Sequence, residues 1–250
     1  MIQFQMFFTM IKLDTKEKKP WDWEVDSAKW RMTLKKAIKQ IAFNEFILLA
    51  PILFIDILFL NGSKSRTDLE TFPGTIEILL QIFFMMIIED MAFYWSHRTL
   101  HLPYFYKKIH KIHHEFSNPI SIAALYAHPL EYLFGNTLPT ALGFIILGNR
   151  CHFATIMVWL ALRIFETMDG HCGYEFSWSP YRLLPFSGSS EYHNFHHSHN
   201  VGTFSSFFIL WDTFMGTNKE YFKYKAKKER EDKLNQLRQE HKTNKLAKTE

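Results

Sequence analysis

Cysteine is nearly missing from this chain: Cys151 and Cys172 are the only two in 250 residues, and they stand at no metal-ligand spacing. A disulfide scaffold and a zinc ribbon are thereby excluded. Charge of one sign is scarce as well. The formal net charge is +4 with 22% charged residues, which argues against a nucleic-acid partner. The first 12 residues are apolar and lack a basic start, so a cleavable signal peptide is not expected. Even mixing is also lacking. Apolar residues collect in blocks, and charge collects towards both ends.

The blocks have the length of membrane segments. Residues 41–60 form a run of the ~20 residues that cross about 30 Å of hydrocarbon as a helix. Asn44, Glu45, Pro51 and Asp56 interrupt it, so one side is expected to face protein. Residues 75–95 are cleaner until Glu89 and Asp90, and residues 132–148 and 153–165 read as a tight hairpin across Arg150. A soluble protein with long core helices is the alternative; the length of the blocks favours the membrane. The expected fold is therefore all-α, an integral membrane protein with about four apolar helices or hairpins.

Basic residues place those spans. Lys16, Lys18, Lys19, Lys29, Arg31, Lys35, Lys36 and Lys39 lie before the first block, Lys107, Lys108 and Lys111 after the second, and the tail from Lys219 is rich in Lys and Arg. By the positive-inside rule these regions share the cytoplasmic side. The expected organisation is a cytoplasmic segment at 1–40, a membrane-embedded domain at 41–222 and a basic cytoplasmic tail at 223–250, the last a solvated helix. Asn61-Gly62-Ser63 is a formal glycosylation sequon on the far side, too close to the first span for use to be expected.

Against this background the histidines stand out. HKIHH at 110–114 and HNFHH at 193–197 repeat one pattern. With 13 His in 250 residues, a shuffled chain would hold about 0.03 copies of it. His97 and His101 add an i, i+4 pair just beyond the second block. On a helix i, i+3 and i+4 share a face, so His97, His101, His110, His113, His114, His193, His196 and His197 can converge from three short helical faces. Leu102-Pro103 is expected to end the first of these helices, and Ser190 to begin the last.

Eight imidazoles exceed the four ligands of a structural zinc or the three of a catalytic one. They suit two metal ions, each with an open position. Neutral imidazole accepts Fe, Zn, Cu or Ni. Oxidation of an inert C–H bond in a lipid would explain the membrane setting, and a redox-active iron pair with O2 meets that need.

HRTLH, HKIHH and HNFHH resemble the three histidine boxes of the fatty acid hydroxylase superfamily, membrane-bound non-haem di-iron oxygenases. The resemblance extends towards the 4-methylsterol monooxygenases through YKKIHKIHHE (106–115), YAHPLE (126–131), ETMDGHCGYEF (166–176) and SSFFILWDTFMGT (205–217), and covers about residues 74–222. It implies an oxidoreductase of the endoplasmic reticulum membrane. Such an enzyme uses two Fe ions, O2 and electrons from NAD(P)H through cytochrome b5 to oxidise the 4-methyl group of a sterol precursor. It further implies that the eight box histidines are ligands and that His128 and His171 are additional ones. Glu115, Glu131 and Asp169 would accept the second ring N–H of a ligand. The chain departs from that group's pattern at Asn194, Leu125, Ser121 and Cys172; none of these removes a ligand.

Two other readings share these residues. A sterol desaturase or a sphingolipid or fatty acid hydroxylase would carry the same boxes. A non-catalytic membrane metal-binding protein or transporter would place ligands within its spans, whereas the boxes lie outside them.

Overall fold

The computed structural model describes residues 10–12, 22–59 and 64–246. The sequon at 61–63 and Lys16, Lys18 and Lys19 lie outside the described residues.

Helix α1 (Ser27–Ala42) starts where the Asp26 carboxylate accepts the N–H groups of Ala28 and Lys29 at 3.1 and 2.9 Å, two of the donors that a helix start leaves unpaired. It runs through a π-turn (Phe43–Leu49) into α2 (Ala50–Phe59). Pro51 explains the π-turn: its ring crowds a regular helix and it has no N–H to donate. The Ala50 N–H reaches back to the Glu45 carbonyl instead. Another π-turn (Tyr132–Thr137) leads into α5 (Leu138–Leu147), where Pro139 plays the same part and the Leu138 N–H goes to Leu133.

These two segments, 27–55 and 129–150, are the helices among the described residues that are long and apolar enough to cross a membrane, with mean hydropathies of 1.7 and 1.3. Asn44, which interrupts the first, is fully buried; it donates to the Ala127 carbonyl at 2.9 Å and accepts from Gln40 at 3.0 Å.

Helix α3 (Thr75–Leu100) is the central rod. Helix α5 packs along it more extensively than any other element. Gly143 permits that contact, because a Cβ there would stand 2.8 Å from the Met85 Cα. The expected hairpin of α5 and α6 (Phe153–Gly170) exists, turning at Gly148 with φ +53°, but both limbs lean more on α3 than on each other. Ile82, Met85, Ile156, Trp159 and Phe207 form the core between α3, α6 and the segment after residue 204.

The charges in the second and fourth apolar blocks meet inside it. Arg163 of α6 donates to Glu89 of α3 at 2.8 Å and to Glu166 at 2.6 Å, and Asp90 accepts the Phe208 N–H at 3.0 Å. A buried charge persists only when paired and hydrogen-bonded, which is why α3 and α6 are less purely apolar than α2 and α5.

At its C-terminal end α3 passes to α4 (Pro103–Lys108), with Pro103 at the first turn as expected from Leu102-Pro103. Two 3-10 turns follow, His110–Glu115 and Ser121–Leu125. Helices α7 (Ser190–His199), α8 (Leu210–Met215) and α9 (Lys219–Leu246) complete the chain. The α9 helix is the exposed, charged tail helix that its sequence predicts. The fold is mostly helical; a three-residue ribbon pairs β1 (Met10–Lys12) antiparallel to β2 (Tyr174–Phe176).

The basic segments converge at the C-terminal end of α3. Lys36 of α1 pairs with Glu115 at 2.6 Å, and Lys228 of α9 with Glu191 of α7 at 3.1 Å. Arg66 and Arg150 meet at the other end, beside Glu77.

Candidate metal centre

Nine histidines gather where α3, the 110–115 turn, the end of α6 and α7 meet. They form two groups: His97, His101, His110, His114 and His196, and His113, His171, His193 and His197, with the ligand atoms of each group within 4.8 Å of one another. Each repeated triplet is divided between them. In HKIHH the outer pair His110 and His114 joins the first group and His113 the second. In HNFHH the outer pair His193 and His197 joins the second group and His196 the first. In each triplet the outer pair serves one group and the i+3 histidine the other, so each triplet reaches both groups.

One local detail differs from the sequence expectation. HKIHH is a 3-10 turn rather than an α-helix, held between the proline-started α4 and the bend at Ser117 and Asn118. The helix of HNFHH begins at Ser190 as expected, but the residue that caps it is Ser189, whose hydroxyl accepts the Tyr192 N–H at 3.1 Å. Ser190 instead donates to the Asp169 carbonyl at 2.8 Å.

Carbonyl oxygens fix most of the rings. The Nδ1–H groups of His97, His113, His171, His196 and His197 donate to the carbonyls of Phe204, Tyr126, Thr167, Gly202 and Phe116, at 2.9, 3.1, 2.7, 2.7 and 3.1 Å. His110 donates to Glu131 at 2.8 Å. A carbonyl can only accept, so each partnered Nδ1 carries the proton and each Nε2 presents its lone pair.

The Nε2 atoms crowd together. The Nε2 atoms of His113 and His171 are 3.3 Å apart, and neither has a proton to share. His101 and His196 meet through Nε2 at 3.0 Å, His110 and His114 at 3.1 Å, His171 and His193 at 2.9 Å. The His197 Nε2 is buried without any hydrogen-bond partner. Crowded imidazole nitrogens, with six of the nine rings held through Nδ1, are the arrangement that a cation among them stabilises. The donor set therefore fits metal binding.

Burial reinforces it. Desolvation lowers the pKa of His110, His114, His193 and His197, with neighbouring imidazoles adding to the effect. His113 is pushed down to about 4 and His196 to about 3. The imidazoles are neutral at pH 7, as metal ligation requires.

Of the sequence-derived candidates, His128 is not brought to either group. It starts the short turn Pro129–Glu131, where its Nδ1 accepts the Leu130 N–H at 3.2 Å. Glu131, one turn on, is the part of YAHPLE that touches a clustered histidine, His110. Glu115 and Asp169 do not contact histidines as expected. Glu115 is held by Lys36 at 2.6 Å and by the Tyr126 hydroxyl at 2.8 Å. Asp169 accepts from Arg182 at 2.7 Å.

Asp212 has a supporting role that residue type alone did not reveal. It is fully buried and accepts the backbone N–H groups of Phe204 and Ser205, at 3.0 and 2.9 Å, and the Tyr192 hydroxyl at 2.8 Å. It thereby sets the 202–205 segment, whose carbonyls hold His196 and His97. Gly202 sits there at φ +59°, and a Cβ on it would fall 1.9 Å from the Thr217 carbonyl oxygen.

Residues 82–217 match the family model described as fatty acid hydroxylase. Methylsterol monooxygenase 2-2 of Arabidopsis thaliana is 33% identical over 234 residues, which cover 92% of this chain and 82% of that protein. Methylsterol monooxygenase 1 of Gallus gallus is 34% identical over 91% of this chain and 73% of its own. Very-long-chain aldehyde decarbonylase GL1-8 of Oryza sativa subsp. japonica is 41% identical, but the match covers 64% of this chain and 59% of that protein. No solved structure gives a significant match. By a family model that spans more than half of it and by relatives matched over most of their length, the chain belongs to the fatty acid hydroxylase family.

Proposed function

We propose that this protein is a membrane-bound oxidoreductase that oxidises the 4-methyl group of a sterol precursor, using two iron ions, O2 and electrons delivered from NAD(P)H by a cytochrome b5-type donor. The observation that carries the reading is the pair of buried histidine groups with unprotonated Nε2 atoms converging in each. The first group would hold one ion and the second the other, with His171 as the ninth ligand. Bound there, the pair supplies the O2-dependent redox chemistry that an unactivated C–H bond requires. The protein's own part is to keep the imidazoles neutral, to fix six of the nine rings through their Nδ1–H, and to keep bulk water from the site.

The 27–55 and 129–150 helices support residence in a bilayer. In this reading α3 and α6 complete a bundle of four apolar elements, with the membrane domain at 41–222, cytoplasmic flanks at 1–40 and 223–250, and the endoplasmic reticulum as the compartment. Lys36, Lys108 and Lys228 gather at the histidine end, which by the positive-inside rule is the cytoplasmic one. Basic residues there would speed encounter with an acidic electron donor.

The match to aldehyde decarbonylases favours one second reading, a long-chain aliphatic substrate on the same metal pair. Sterol profiling separates the two. Expressed in cells whose own 4-methylsterol oxidase is deleted, the protein should clear the accumulated 4-methylsterols, and its His196→Ala variant should not. Persistent accumulation beside stable, iron-loaded protein would reject the sterol reading.

A further inference from the structure

Two spaces in the molecule share one wall. The inner one, about 20 Å³, borders the metal centre and is lined by His97, His110, His113, His171 and His193 together with Glu131. The outer one is an apolar groove of about 480 Å³ between α3, α4 and the 132–137 π-turn, bounded by Trp95, Thr99, Phe105, Ile109, Leu130 and Phe134. Leu100 and Gly135 line both.

We propose that Leu100 and Gly135 form the threshold between an apolar lipid lying in the groove and the metal centre, and that this pair selects which carbon of the lipid reaches the metals. The inference rests on the oxidoreductase reading above and adds to it the residues that determine specificity.

Three features carry it. The groove has the volume of sites that enclose a small organic ligand, about 300–1,000 Å³, and its rim is continuous apolar surface, with Trp95 45%, Leu130 49% and Phe134 60% exposed. Such a rim fits a hydrocarbon arriving from a bilayer. The inner space, by contrast, has room for about one water-sized group. A single projecting carbon fits there, and a ring or a folded chain does not. Finally, the wall is thin and built from one movable side chain against one bare backbone. Gly135 is buried in the π-turn, a distortion often found at functional sites, and a Cβ on it would come 3.1 Å from Leu100 Cδ1 and 3.4 Å from Glu131 Cγ. Leu100 ends α3 one residue before His101 and one turn after His97. A rotamer change of Leu100 therefore opens the groove directly onto ligand rings, without movement of the helix.

The test uses the full-length protein loaded with cobalt(II) as a paramagnetic probe, so that proximity to the metals is read without turnover. The ligands are a 4-methylsterol carrying ¹³C in its 4-methyl group and a saturated long-chain aldehyde carrying ¹³C in its carbonyl. In the wild type, one bound probe should show strong paramagnetic relaxation at its labelled carbon. Leu100→Trp should abolish that relaxation while the probe still binds and the metal content stays unchanged. Gly135→Ala, the smaller change, should weaken it in the same direction. With iron in the site, product formation by Leu100→Trp should fall at least about tenfold, the scale set by one misfitted methylene in an apolar pocket. Unchanged relaxation in both metal-loaded variants, or no binding of either probe to the wild type, would overturn the threshold. A wild-type protein that relaxes the sterol methyl without ever oxidising it would keep the threshold and reject the oxidoreductase reading. Relaxation of the aldehyde alone would keep the threshold and move the substrate to the aliphatic class.

Discussion

The carbonyl of Gly202 accepts the Nδ1–H of His196 at 2.7 Å, so a residue without a side chain fixes the tautomer of a histidine in the first group. Its φ of +59° and the nearness of the Thr217 carbonyl leave no room for a Cβ. Gly202→Ala should displace the segment, turn the His196 ring and lower bound metal, as measured by metal analysis of the purified protein. Wild-type metal content in that variant would separate the loop from the site.

Asp212 acts on the same segment from behind. Asp212→Asn keeps the shape but removes acceptor capacity from the N–H groups of Phe204 and Ser205 and from the Tyr192 hydroxyl. Hydrogen bonds to a charged group contribute about 1.5–3 kcal/mol each. The variant should melt several degrees lower and hold metal less tightly. A melting curve and metal content equal to wild type would refute this assignment.

His128 and His171 make a matched pair for testing the ligand set. His171→Ala removes an Nε2 that stands 2.9 Å from that of His193 and should lower the iron stoichiometry. His128→Ala removes only a cap on a three-residue turn and should leave it intact. Metal analysis of both variants checks this, and loss of iron from His128→Ala alone would invert the assignment.

Acid should strip the site late. His113 and His196 remain neutral until pH approaches about 4 and 3, so protons compete weakly with metal at pH 5.5. For the metal-free protein the sign is equally definite. Their folded pKa lies below the unfolded value near 6.5, so the unfolded chain binds more protons in between. Stability is therefore full above about pH 6.5 and declines as pH falls towards 4. Metal release and melting temperature followed from pH 7 to pH 4 test both statements; metal loss already complete at pH 6 would contradict them.

The buried Arg163–Glu89 pair is structural. Arg163→Met leaves Glu89, which is fully buried, without its counter-charge, and breaking such a pair costs about 3–5 kcal/mol. Denaturant unfolding of the purified protein should show that loss, with a much smaller one in the triple variant Arg163→Met, Glu89→Leu, Glu166→Gln, since Arg163 pairs with both carboxylates. Equal losses in both would show that the charges do not depend on each other.

Much of the site was legible because its spacing is chemical. The repeated triplets could be read from their spacing and the eight box histidines do converge, although HKIHH does so on a 3-10 turn and not on the α-helical face that its spacing suggested. The division of each triplet between two groups was not legible, since it depends on how α7 and the 110–115 turn face each other. Neither were the ring orienters, because five of them are backbone carbonyls and carry no side-chain signature. Glu115 and Asp169 were plausible by type and proximity in sequence, yet Lys36 and Arg182 claim them from elements remote in the chain. The apolar blocks at 41–60 and 132–148 could be read from hydropathy and lie in the two helices long enough to span a membrane, whereas the charges at Glu89 and Arg163 became intelligible only once they were seen to pair.

Iron counting on the purified full-length protein, combined with magnetic spectroscopy of the bound metal, tests the account most directly. Two ions per chain, mutually coupled and lost singly in His110→Ala and His113→Ala, is the result that two histidine groups predict. One isolated ion per chain, lost equally in both variants, would contradict it.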